Sequence, residues 1–193
     1  MSHADLLLSI ALGIGLAAAV GFRVFLPLLV VSVASYSGHL NLSSDLGWLG
    51  TLPAIATFAV AAVVEIIAYY LPGVDNALDI VASPIALLAG TVVTAAVLGD
   101  LPPLVKWTTA IIAGGGGAGL TQGATALLRA KSTAFTGGLG NSVVASGELA
   151  GSALLSILAV FLPLLALCLV VLFCWFAVRF ARRLLRRTPS QEL

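Results

Sequence analysis

The sequence predicts an all-α protein, a polytopic bundle of about five transmembrane helices. Of its 193 residues, 60% are hydrophobic and only 9% are charged, and the mean hydropathy is +1.13. A soluble domain carries about 25% charged residues, so this chain has too little charge to cover a water-facing surface. Its apolar stretches are long enough to cross a hydrocarbon core of about 30 Å, and they follow one another with short gaps. We therefore expect a single transmembrane domain over residues 1–193.

Four apolar stretches of helical length come first, separated by short segments that contain polar residues, glycine or proline. These stretches cover residues 6–34, 52–70, 80–98 and 106–130. The last segment, residues 143–187, is interrupted only by Pro163. Two halves counted from Glu148 would each reach about 22 Å, too short for the core, and a turn between them would leave backbone groups unpaired in lipid. We therefore predict one long, kinked and tilted helix there; a sixth span remains open.

Small residues recur at four-residue spacing in the first and fourth predicted helices, a pattern that lets helix backbones approach closely. They are Gly13, Ala17 and Gly21 in the first, and Gly115, Gly119 and Gly123 in the fourth. A Leu-Pro pair comes later in each half, at Leu71-Pro72 and Leu162-Pro163. Helices three apart in order would run in opposite directions, so the pattern is also compatible with a weak inverted repeat of the kind found in many transporters. The alternative for the glycines is that they open space for a permeant.

Arg23 is the sharpest sign of a functional site. It lies in the middle of an apolar stretch, where a charge costs at least about 2.5 kcal/mol and is expected to face a partner or a polar cavity. Pro27 removes the helical hydrogen bond to the carbonyl of residue 23. The two residues together predict a locally broken helix around a polar site.

Three acidic residues are candidate partners of Arg23. Glu65 lies about five residues from the end of its helix, and Asp75 and Asp79 share one face of a helix at i and i+4. The cluster has two interpretations: an ion pair that locks helices together, or a site for an ion, a proton or a polar solute. Thr121 and Gln122, polar residues within the glycine-rich fourth helix, are further candidates for such a pathway.

The remaining polar residues indicate no reaction chemistry. Asn141 or Ser142 is expected to cap the last helix, and Glu148 to favour its dipole. The sequence has no Ser/His/Asp or Cys/His arrangement, no metal-ligand spacing and no cofactor motif. We therefore expect a protein that is not an enzyme, with no catalytic residues, metal or cofactor.

Five arginines follow the last apolar run and form a cationic face at helical spacing. They are Arg179, Arg182, Arg183, Arg186 and Arg187. By the positive-inside rule, residues 179–193 form a basic cytoplasmic tail, in contact with anionic lipid headgroups. A topology anchor is the main interpretation, and a specific lipid or nucleic-acid site is the alternative. The bilayer is the expected partner, nucleic acid is not expected, and a homo-oligomer remains open.

Several of these residues carry a resemblance to a known family. The relevant stretches are Gly21-Phe22-Arg23, Glu65, the string from Tyr70 to Asp79 (YLPGVDNALD), the Gly114 to Gln122 run, and Gly138-Leu139-Gly140-Asn141 with Glu148. In these the chain resembles the membrane-protein family catalogued as domain of unknown function 4126. The resemblance covers almost the whole chain. It implies a small bacterial multi-pass membrane protein and no particular activity.

Two functions are therefore expected for a chain in the inner (plasma) membrane. The first is a small transporter or channel for an ion or small polar solute. The second is a non-transporting scaffold or assembly module whose charges hold helices together. A cavity that opens to either face and reaches Arg23 would favour the first, and a dry bundle with Arg23 fully paired would favour the second.

Overall fold

A computed structural model of the protein describes residues 3–71, 73–99 and 101–185, and every regular element in them is helical, which confirms the all-α bundle. In chain order these elements are α1 (His3–Phe22), α2 (Phe25–Tyr36), a 3-10 helix (Ser44–Gly50), α3 (Leu52–Tyr69), α4 (Val74–Val97), α5 (Pro103–Thr109), a π-helical turn (Ala110–Gly115), α6 (Gly116–Thr136), α7 (Asn141–Phe161) and α8 (Pro163–Leu185).

Four helices in the described residues are long and apolar enough to cross a membrane. They are Ala4–Phe22, Leu52–Tyr69, Ala77–Val97 and Asn141–Phe161. Two apolar helices are shorter, Phe25–Tyr36 and Pro163–Arg179. The fourth predicted span, residues 106–130, is not among these four, and the structure divides it among α5, the π-helical turn and α6. The first and the last predicted helices are also each divided in two, and one half of each is long enough to span.

The bundle has two ends, which we call end A and end B. End A lies at the 3-10 helix, where the N–H of Ser43 donates to the carbonyl of Ala96 in the last turns of α4 (2.8 Å). End B lies at the turn between α6 and α7, where Nδ2 of Asn141 donates to Asp75 in the first turn of α4 (2.5 Å). Helix α4 therefore runs from end B to end A, and the continuous helix from α5 through α6 runs back to end B.

The first predicted helix is broken at Arg23, as its Arg-Pro pattern predicts. Helix α1 ends at Phe22, and α2 starts at Phe25 and returns toward end A. The return is shown by Gly50 in the 3-10 helix, where an added Cβ would lie 2.5 Å from Oγ of Ser35, near the end of α2. Arg23 itself is 1% exposed, so the break lies inside the bundle and not at its surface.

The last predicted helix is also two helices, and the expectation of one long kinked helix is wrong. An added Cβ on Gly15 of α1 would lie 3.0 Å from Cβ of Ala159 in α7 and 3.1 Å from Cβ of Ala166 in α8. In one straight helix these two residues would be separated by about 10 Å. The chain therefore turns back at Pro163. The error came from counting α7 from Glu148, because α7 starts at Asn141 and is long enough to span by itself.

The two helices that carry small residues run in the same direction, so this pair is not an inverted repeat. Gly13 of α1 packs against Thr94, whose side chain also lies against Gly114. Further along α1, Gly21 packs against Thr121 at the next level of α6. The break after Phe22 adds one crossing of the bundle, and this extra crossing makes α1 and α6 parallel.

Helix backbones come close together where α4 crosses the π-helical turn. An added Cβ on Gly90 would lie 2.8 Å from the carbonyl oxygen of Gly114 and 2.6 Å from Cβ of Ala118. The predicted packing residues Gly13, Gly21, Gly115 and Gly119 have equally tight neighbours, and Ala17 is fully buried. Gly123 is different, because it is exposed and an added Cβ there would meet nothing within 4 Å.

Candidate functional site

Arg23 lies at the break between α1 and α2, in the interior of the bundle. Its Nη2 donates to the carbonyl of Ala145 (3.0 Å) and lies 3.4 Å from Oε2 of Glu148 on α7. Its guanidinium carbon is 3.8 Å from the centre of the Tyr69 ring, close enough for a cation–π contact. The sequence analysis paired Arg23 with Glu65, Asp75 or Asp79. That choice is wrong, since the ion-pair partner in the described residues is Glu148.

Arg129 on α6 is the second buried cation, and sequence reasoning did not place it in the cluster. Its Nη1 contacts Asp79 of α4 and its Nη2 contacts the same Glu148 oxygen that faces Arg23. Its guanidinium carbon lies 4.4 Å from the Tyr69 ring centre, and the Tyr69 hydroxyl donates to Asp79 (3.2 Å). The predicted fourth helix ended at residue 130, one residue after Arg129, whereas α6 continues to Thr136 and Arg129 is buried seven residues before its end.

Glu148 is the central acid of the cluster, and its predicted role in the helix dipole is wrong. It is the eighth residue of α7, beyond the first turn, and it is 4% exposed. Its Oε2 contacts both Arg23 and Arg129, while its Oε1 has no hydrogen-bond partner among the described residues. Asn141 does not cap α7 either, since its side chain donates to Asp75 and to Thr133 (2.9 Å).

Glu65 stabilises the broken helix directly. Its two carboxylate oxygens accept hydrogen bonds from the backbone N–H groups of Val24 (2.8 Å) and Phe25 (3.1 Å). These groups lie at the start of α2, where backbone donors have no intrahelical partner and the helix dipole favours a negative charge. Glu65 therefore contacts the break beside Arg23, although the described ion pairs do not include it.

Asp75 lies closer to end B and outside the ion pairs of the arginines. Its carboxylate accepts from Asn141 and from the backbone N–H of Gly73 (3.0 Å). Asp79, one turn further along α4, reaches Arg129 instead. The predicted cluster of Arg23, Glu65, Asp75 and Asp79 is therefore brought to one region of the bundle, but it is joined through Arg129 and Glu148.

The cluster is incompletely paired, and its carboxylates outnumber its arginines. Two arginines face three carboxylates, those of Glu65, Asp79 and Glu148, which gives a formal charge of −1. Nε and Nη1 of Arg23 and Nε of Arg129 have no hydrogen-bond partner in the structure. Because a buried unpaired donor costs about 1–3 kcal/mol, these atoms mark a place where the bundle is not optimised for stability alone.

The other predicted pathway residues are buried near the cluster but form no part of it. Thr121 is completely buried, and its hydroxyl donates to the carbonyl of Gly117 one turn earlier (3.1 Å). Gln122 is 4% exposed. Both lie where α6 packs closely on Gly21, which indicates a packed helix contact at this level.

A separate ion pair lies at end A. Nζ of Lys106 is 2.6 Å from Oδ1 of Asp45 and ties α5 to the 3-10 helix. The hydrogen bond from Lys106 lowers the pKa of Asp45 below its ordinary value. In the described residues, no group of three or more His, Cys, Asp or Glu side chains is placed to hold a metal ion.

A groove with a cavity volume of about 740 Å³ lies between α3 and α4. Val24 and Phe25 line its inner wall together with Glu65, which is the charged residue in its described lining. Val60 and Val64 line it from α3 and are 66% and 60% exposed, so the groove opens on the side of the bundle that would face lipid. It reaches the helix break beside Arg23, while Arg23 is not among its lining residues.

A family model described as "Domain of unknown function (DUF4126)" matches residues 10–183. The chain belongs to the DUF4126 family. The DUF4126 match includes both arginines, all three carboxylates of the cluster and the whole helix break, so the predicted resemblance is confirmed. No curated protein and no solved structure matches the chain.

Proposed function

We propose that this protein is a small membrane transporter or channel for an ion or small polar solute. The observation that carries the proposal is the buried charge cluster at a helix break inside the bundle. Many transporters place their sites at interrupted helices of this kind, where free backbone groups and charged side chains meet at membrane depth. Ionisable residues inside a membrane bundle are rare and costly, and they commonly mark substrate, ion and proton pathways.

The composition of the cluster supports an ion as the transported species. A formal charge of −1 in a water-excluded site is relieved by uptake of a proton or another cation. Among the described residues, Glu148 has one oxygen without a hydrogen-bond partner, and Glu65 accepts its hydrogen bonds from backbone donors and lines an open groove. Either carboxylate could therefore change its protonation or its partner without first breaking every contact of the cluster.

We further propose that end B faces the cytoplasm and that the protein resides in the plasma (inner) membrane. Six of the nine basic residues lie outside the buried cluster and either in the last turns of α6, beside end B, or after the last apolar run: Lys131 and the five arginines from Arg179 onward. Excess Lys and Arg beside spanning helices favours the cytoplasmic side. Because the described helices start at end A and finish at end B, the N-terminus would then face outward. Arg186 and Arg187 lie outside the described residues.

The structure also carries a specific argument for a scaffold. The ion pairs join α1, α4, α6 and α7, and the groove does not include Arg23 among its lining residues. A cluster of this kind could hold four helices together without moving anything. The two functions make opposite predictions for flux, so one assay separates them.

The assay is flux into liposomes that contain the purified protein. A pH-sensitive dye inside the vesicles reports proton movement, and labelled ions and small polar solutes are screened in parallel. We expect flux above that of empty vesicles, and we expect Glu65→Gln to lower it at least tenfold because the substitution removes the charge at the helix break. Asp45→Asn removes a carboxylate at end A, outside the cluster, and serves as the matched control with unchanged flux.

Each outcome of the flux assay leads to a different conclusion about the function. Flux equal to that of empty vesicles across the whole screen would refute transport and leave the scaffold function. Flux that is unaffected by both Glu65→Gln and Glu148→Gln would refute the assignment of the site while transport itself stands. Size-exclusion profiles of each variant in detergent check that the bundle remains folded.

A further inference from the structure

The groove between α3 and α4 has the size and lining of a ligand site. Small-molecule sites are concave, mostly apolar and roughly 300–1,000 Å³ in volume, with a few convergent polar groups. This groove measures about 740 Å³, and its described lining has two polar side chains, Thr57 and Glu65. Its opening lies along the sides of two helices, so a ligand would enter it from the lipid phase and not from water.

Glu65, the one charge in the described lining, takes part in none of the described ion pairs. The two oxygens of Glu65 accept from Val24 N and Phe25 N, residues that themselves line the groove. The nearby arginines are engaged elsewhere: Arg23 faces Glu148, and Arg129 faces both Glu148 and Asp79. A carboxylate has about four lone-pair positions, and two hydrogen bonds leave some of them available to a ligand.

We propose that this groove binds amphipathic organic cations, with the apolar body of the ligand between α3 and α4 and its positive charge beside Glu65. Such a ligand matches both features of the site, since it partitions into a bilayer and supplies the positive charge that the cluster lacks. A neutral lipid chain would satisfy the apolar walls and leave the charge unmatched. This proposal names the substrate class of the transporter proposed above and therefore rests on that function.

The test uses two probes of the same shape and opposite charge, tetraphenylphosphonium and tetraphenylborate. Binding of each labelled ion to the purified full-length protein is measured in detergent without any gradient. We expect saturable binding of the phosphonium, at least tenfold stronger than that of the borate. Glu65→Gln is expected to weaken phosphonium binding at least tenfold, while Asp45→Asn leaves it unchanged.

A second pair of variants tests the location of the site. Ala61 lines the groove, so Ala61→Phe fills it and is expected to abolish phosphonium binding without removing a charge. Val63, on the same helix, is 55% exposed and is not among the lining residues, so Val63→Phe is the matched control with unchanged binding. This pair keeps the test decisive even if Glu65→Gln impairs folding through the loss of its contacts with α2.

Three results would overturn the proposal. One is equal binding of the two probes, and another is phosphonium binding that survives Ala61→Phe. The third is a co-purified phospholipid that phosphonium does not displace and that Ala61→Phe releases, which would assign the groove to an acyl chain. Because binding is measured without flux, these results refute the groove alone, whereas inactive vesicles in the transport assay refute transport alone.

Discussion

The sharing of one Glu148 oxygen by two arginines makes this residue the most sensitive point of the bundle. The distance of 3.4 Å between Arg23 Nη2 and Glu148 Oε2 corresponds to an attraction of about 5 kcal/mol at an effective dielectric constant of about 20. Much of this offsets the cost of taking both ions out of water. Removal of one partner of a buried pair costs about 3–5 kcal/mol, because the remaining charge is left uncompensated. We expect Glu148→Gln to lower the free energy of unfolding by about 3–5 kcal/mol.

A double variant that also replaces Arg23 tests the ion pair specifically. Without Glu148, the guanidinium groups of Arg23 and Arg129 face each other with no anion between them. Arg23→Met removes one of these cations, so the double variant Arg23→Met/Glu148→Gln should be at least as stable as Glu148→Gln alone. The coupling energy between the two positions should be about 2–3 kcal/mol, within the range found for residues in one ion-pair network.

The assay is reversible unfolding of the purified protein in mixed micelles by titration with a denaturing detergent. The control cycle combines Arg23→Met with Asp75→Asn, because Asp75 binds Asn141 and lies outside the ion pairs of the arginines. That cycle should be additive within about 0.5 kcal/mol. Additive losses for Arg23 and Glu148 would refute the ion pair and leave Arg23 held only by Ala145 and Tyr69.

Three further predictions concern packing, pH and topology. Gly90→Ala should destabilise the bundle by about 1–3 kcal/mol, because an added Cβ would clash with the carbonyl oxygen of Gly114 and with Ala118. Gly123→Ala should be neutral or stabilising, since an added Cβ there meets nothing within 4 Å. Thermal unfolding of the two variants in detergent compares them, and equal effects would contradict the packing argument. The pKa of Asp45 is lowered by Lys106, so their bond stabilises the protein above the ordinary Asp pKa of about 4 and is lost as the pH falls through the lower folded-state value. Wild type should therefore unfold at a higher temperature than Asp45→Asn at pH 7, and this difference should disappear in strong acid; a constant difference would show that the pair does not titrate as described. Topology is tested by thiol labelling in a variant without Cys168 and Cys174. A membrane-impermeant reagent should label Gly47→Cys at end A from outside intact cells, but should label Leu139→Cys at end B, and Ser190→Cys outside the described residues, only after permeabilisation. The reverse labelling pattern would invert the proposed orientation.

The membrane class, the all-α fold and the break at Arg23 could all be predicted from the sequence. Each depends on local information: the hydropathy of a stretch, the length of a helix, and a proline four residues after a buried charge. The stretches that pointed to the DUF4126 family are equally local. The candidate site was found only in part: Arg23 and Glu65 stand out as charges in apolar segments and Asp79 by its helical spacing from Asp75, whereas Glu148 was assigned to the helix dipole and Arg129 was not placed in the site.

Tertiary structure decided which charges meet. Arg23 and Glu148 are 125 positions apart, and they come together because α7 packs against α1, where Oγ of Ser152 donates to the carbonyl of Ala19 (3.0 Å). Hydropathy does not mark the turn at Pro163, since both sides of it are apolar, and this missed turn reverses the expected direction of α8. The groove beside Glu65 likewise depends on how α3 and α4 lie beside the start of α2, and not on any residue of the groove alone. The sequence therefore determined that the chain forms apolar helices with charges buried among them, while long-range helix packing divided the first and last predicted helices and decided how the buried charges are paired.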